Sequence, residues 1–63
     1  MDIDTAKQRI DSAINQYGAH AAPAIELVLN EVRSDLGINA FNDLVMEFDL
    51  ELLYNIAPLE SDQ

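Results

Sequence analysis

Asn39–Pro58, NAFNDLVMEFDLELLYNIAP, is the stretch on which the fold turns. Asn39 is of a type favoured at helix N-caps, where its side-chain oxygen accepts from an unpaired N–H of the first turn. Pro58 cannot continue a helix, and it drives Ala57 out of the α region. Between them the sequence predicts one helix over about 40–56. At about 100° per residue, Leu44, Phe48, Phe41, Leu52, Val45 and Ile56 fall within an arc of about 120°, the width of a core-facing stripe. Leu53, Met46, Ala57 and Leu50 gather on roughly the opposite side, with Tyr54 at the edge. Asp43, Glu47 and Glu51, spaced i, i+4, i+8, fill the wedge between the two as an acidic face.

A helix that is apolar on two sides needs two partners or full burial. The first stripe is expected to cover the other helices of this chain. The second, made of Met46, Leu50, Leu53 and Tyr54, is expected to meet another chain, because an apolar patch left in water marks an interaction site. A break at Phe48-Asp49-Leu50 is the alternative. Asp is a good N-cap and a weak interior residue, so Asp49 would cap a short final helix from Leu50 to Ile56. The second face would then tuck under the core, which weakens the case for an oligomer.

The rest of the chain reads as two further helices. Asp2 or Asp4 can cap the first, over about 3–17, where Ile3, Ala6, Ile10, Ala13, Ile14 and Tyr17 make one narrow stripe. Gly18 is the expected stop. Pro23 suits the first turn of a second helix over about 22–36, where its missing N–H costs nothing. Ile25, Val28, Leu29, Val32 and Leu36 share one face, with Leu27 alone on the other. Asp35-Leu36-Gly37-Ile38 reads as a Schellman stop, with Gly37 at positive φ and Ile38 folded back. So short a turn makes the second and third helices direct neighbours. The polar tail 59–63 is expected to fray. The expected fold is an all-α three-helix bundle in a single domain.

Composition narrows the function classes. The chain has 63 residues, 49% of them hydrophobic, which is normal for a globular protein. It has no Cys, so a disulfide framework and a thiolate metal site are both excluded. The start, MDIDTAKQRI, carries acids where a secretion signal needs a basic region and an apolar run. No run approaches the roughly 18 apolar residues of a spanning helix, and a cytoplasmic setting is expected. In a chain this short, hydrophobic gain and chain entropy nearly cancel, and oligomerisation is a common remedy. Three Lys/Arg against twelve Asp/Glu give a net charge of −9. Direct binding to nucleic acid or to an anionic membrane needs a basic footprint, so neither is expected. A basic protein partner is permitted.

No constellation of residues names a reaction. His20 is the one histidine, beside alanines, and Ser12, Ser34 and Ser61 fall on expected surface or tail, so no nucleophilic triad assembles. Asp43, Glu47 and Glu51 lack the Glu-x-x-His partners of di-metal bundles. Asp2-x-Asp4 lacks the Gly and terminal Glu of a calcium loop. A helix-turn-helix reading fails because the would-be recognition helix carries Asp43, Glu47, Asp49 and Glu51. No catalytic residue, cofactor or metal ligand is expected. The leading expectation is a non-enzymatic, homodimeric protein–protein interaction module. Two others stand beside it: an acidic inhibitor or nucleic-acid mimic that docks on a basic protein, and a helical protein that binds a small ligand or a metal.

Overall fold

The computed structural model describes residues 1–59 and is helical throughout, with no strand among the described residues. Helix α1 spans Ile3–Tyr17, α2 spans Ala22–Leu36, α3 spans Ile38–Glu47 and α4 spans Leu50–Tyr54. A single 3₁₀ turn, Gly18–His20, joins α1 to α2. Among the described residues no helix is long and apolar enough to cross a membrane.

The bounds of α1 and α2 are those the sequence predicts. Of the two candidate caps, Asp2 acts: its Oδ1 accepts from the Thr5 N–H at 2.8 Å. Gly18 ends α1 with φ 55°, its N–H bonded to the Ile14 carbonyl. Pro23 lies in the first turn of α2. Gly37 ends α2 with φ 98° and donates to both the Arg33 and the Val32 carbonyls, each at 3.2 Å. The expected Schellman geometry is corrected here. Gly37 does take the expected positive φ, but with ψ at 175° it lies outside the αL region, in a conformation open to glycine, and its own N–H closes the last turn.

α2 packs against both α1 and α3. The core is Ala6, Ile10 and Ala13 from α1, Ala21 from the connection, Ile25, Val28, Leu29 and Val32 from α2, and Phe41, Leu44 and Val45 from α3, closed by Leu50 and Ile56. Among the described residues three ion pairs bind the surface together. Arg9 holds Glu31 by two bonds of 3.0 and 3.1 Å, Lys7 reaches Glu47 at 3.2 Å, and the Met1 ammonium meets Asp35 at 3.2 Å.

The third predicted helix differs in two respects. It begins at Ile38 directly after Gly37, so Asn39 sits inside the first turn and is not the cap. It also does not run unbroken to residue 56. Phe48 adopts φ −99°, ψ 6°, and Asp49 turns left-handed at φ 52°, ψ 41°. The alternative break is therefore the one that occurs, although Asp49 makes no side-chain cap and the short helix ends at Tyr54 rather than Ile56. Asn55 is left-handed as well, at φ 60°. The Asn55 N–H donates to the Glu51 carbonyl, and the Ile56 N–H reaches the Leu50 carbonyl, both at 3.1 Å. The chain then doubles back, and the Asn42 amide clasps Leu59: Asn42 Nδ2 donates to the Leu59 carbonyl and Asn42 Oδ1 accepts from the Leu59 N–H, each at 2.8 Å. Leu59 is thus tied down, whereas fraying was expected; the remainder of that tail, from residue 60, lies outside the described residues.

Candidate functional site

The two turn residues Phe48 and Asp49 reset the phase of the helix, and this decides what the surface presents. In a straight helix Leu50 would face outward and Leu52 inward. After the break Leu50 is fully buried and Leu52 is 84% exposed. Leu50 belongs to the chain's own core, so the expectation that it makes an intermolecular contact is corrected. Leu52, read from the sequence as core, is the most exposed large apolar residue described.

The other expected contact residues divide. Met46 and Leu53 stay in water, at 71% and 62% exposed. Tyr54 is half-buried, and its hydroxyl donates to the Gly18 carbonyl at 2.8 Å, which fastens α4 to the end of α1. The expected acidic row is bent rather than straight. Asp43 and Glu47 remain on α3, while Glu51 moves to α4.

The result is a corner between α3 and α4 with Met46 as its ridge. On one side an open depression of about 470 Å³ is lined by Val45, Met46, Asp49, Glu51, Leu52 and Pro58. On the other, a depression of about 440 Å³ is lined by Ile3, Lys7, Asp43, Leu44, Met46 and Glu47. Each therefore combines an apolar floor with two carboxylates. Asp43, Glu47, Asp49 and Glu51 are all exposed, and the one cation in either lining, Lys7, is paired with Glu47. A second apolar strip lies between α1 and α2, where Tyr17 and Leu27 flank Ala13, Ala24 and Val28. Tyr17, expected in the core stripe, is about half exposed.

Among the described residues no buried side chain is polar or charged, and no three His, Cys, Asp or Glu side chains converge to hold a metal ion. His20 is exposed on the 3₁₀ turn. The resolved electrostatic shifts lie away from the corner. The Thr5 N–H holds the Asp2 carboxyl below its ordinary 3.8. The Arg9 guanidinium, by its hydrogen bonds, holds Glu31 below 4.5, and Arg9 is itself raised. These are structural pairs. Leu52 escaped the sequence reading because a helical wheel assumes unbroken phase. The weak helix former Asp49 was the one local signal that could have placed it.

Comparison with family models, with curated proteins and with solved structures finds no match to this chain.

Proposed function

We propose that the chain is a non-enzymatic protein-interaction module whose working surface is the α3–α4 corner. One observation carries this reading: Met46 and Leu52 lie exposed in a shared depression, while the chain already has a complete core without them. The radius of gyration of 10.8 Å is near the about 10.6 Å of a compact chain this long. The accessible surface of 4265 Å² is near the about 4,000 Å² usual for a folded monomer of this mass. The exposed residues are therefore not the by-product of an unfinished fold. Large apolar side chains gathered at one place and rimmed by charge are the signature of a contact surface.

Homodimerisation through this corner is the second reading, and it draws on the same two residues together with Leu53. With Leu50 withdrawn into the core, its seam would have to rest on Met46, Leu52 and Leu53.

Selection of binders from a random peptide library tests the module reading without presuming a partner. The native chain should enrich a recurring peptide family that the double variant Met46→Ser/Leu52→Ser does not retain. Failure to enrich any family, or enrichment that survives the double variant, overturns the assignment of this corner.

A further inference from the structure

The corner carries two kinds of information, and together they restrict its occupant. Its centre is apolar, at Met46 and Leu52. Its flanks are anionic on both sides, with Asp43 and Glu47 beside one depression and Asp49 and Glu51 beside the other. Among the described residues that line it, the one cation is Lys7, which Glu47 engages at 3.2 Å.

A second copy of the chain fits this surface poorly. Two-fold pairing presents the same patch on both subunits, so the carboxylate rims would converge while each chain already carries −9. Like charges brought together at an interface cost several kcal/mol. Nucleic acid and anionic lipid repel the same rim. The complementary surface is an apolar stripe with cations along both edges. A helix supplies this most simply, through apolar residues at i, i+3, i+4 and i+7 with Lys or Arg beside them.

We propose that the α3–α4 corner docks a basic amphipathic helix of another protein. Its apolar side chains seat against Met46 and Leu52, and its cations lie over Asp43 on one edge and Asp49 and Glu51 on the other. This rests on the interaction-module reading and adds the chemistry of the partner. Methionine suits the role, since its flexible, polarizable side chain adapts to varied apolar partners. The rim charges speed encounter and set orientation, and the apolar centre slows release.

The test is a titration of the full chain with a peptide of about 14 residues, leucines at helical spacing on one face and lysines on the other. A scrambled peptide of the same composition and a leucine–glutamate version are the controls. The leucine–lysine helix should bind at least about tenfold tighter than the scramble, and the glutamate version should not bind. Met46→Ser/Leu52→Ser should weaken binding about tenfold at unchanged melting temperature, since both side chains are exposed. Asp49→Asn/Glu51→Gln should weaken it severalfold at about 0.15 M salt and much less at about 0.5 M, where screening is short-ranged. Equal binding of the scramble, or full affinity in the Met46/Leu52 variant, overturns the proposal by reducing it to charge attraction. A concentration-dependent dimer that the same variant dissolves also overturns it, and leaves the module reading standing with a second copy as occupant. Corner-dependent library peptides that lack cations have the same effect. Loss of both peptide binding and library enrichment removes both readings.

Discussion

Leu50 and Leu52 are of one type, two positions apart, and one is fully buried while the other is 84% exposed. Their substitutions should therefore separate cleanly. Leu50→Ala leaves a cavity in the core and should cost about 2–5 kcal/mol. Leu52→Ala should change stability by no more than about 0.5 kcal/mol. Chemical denaturation of the two variants checks both figures, and the reverse order, with Leu52→Ala the costlier, would mean that the helix is straight after all. Gly37 offers a second contrast. No atom lies within 4 Å of where a Cβ would stand, so Gly37→Ala meets no clash. Its φ of 98° and ψ of 175° belong nearly to glycine alone, so the substitution should still cost about 1–3 kcal/mol, read in the same denaturation experiment. Asp2 adds a pH dependence. Its folded pKa lies below the unfolded 3.8 because the carboxylate accepts from Thr5. Its contribution is therefore complete above that value and is lost as pH falls through the folded pKa. Melting curves of the native chain and Asp2→Ala should differ at neutral pH and converge in acid, once the pH has fallen through the folded pKa. A gap that persists in acid would show that the carboxylate is not what caps α1.

At the scale of the element, the joint between α3 and α4 is finely balanced. The break exchanges a buried Leu52 for a buried Leu50, which is nearly even in apolar area. Left-handed backbone at Asp49 and Asn55 costs about 1 kcal/mol each. Against this stand the Tyr54–Gly18 hydrogen bond and the two exchanged between Asn42 and Leu59, each worth about 1 kcal/mol net, together with the packing of Ile56 in the core. Asn42→Ala should cost about 1–2 kcal/mol and abolish exchange protection at the Leu59 amide. Unchanged protection there would place the returning segment elsewhere. This balance explains what the sequence could show. α1 and α2 were legible to the residue, because Asp2, Gly18, Pro23 and Gly37 punctuate single-faced stripes. The joint was not, because Asp49 carries a weak local preference and the decision rests on Asn42, 17 positions from its partner Leu59. Half of the candidate site followed. Met46, Leu53, Asp43 and Glu47 were read as surface from α3 and its continuation, whereas Leu50 and Leu52 changed places when the phase shifted.

At the scale of the molecule, charge and shape point to the same surface. Two of the three Lys and Arg side chains are engaged in ion pairs, Arg9 with Glu31 and Lys7 with Glu47. The acidic excess therefore faces solvent, and four of its carboxylates, Asp43, Glu47, Asp49 and Glu51, line the corner where Met46 and Leu52 are displayed. The competing surface is the strip along α1 and α2 at Tyr17 and Leu27, which lies apart from the corner and has Arg9 in its lining. The most direct discrimination is a map of backbone amide shifts as the native chain is saturated with the tightest peptide from the random library. The largest shifts should fall within residues 43–53, with little change at Tyr17 and Leu27. Largest shifts along the α1–α2 strip, with residues 43–53 unmoved, would contradict the assignment of this corner.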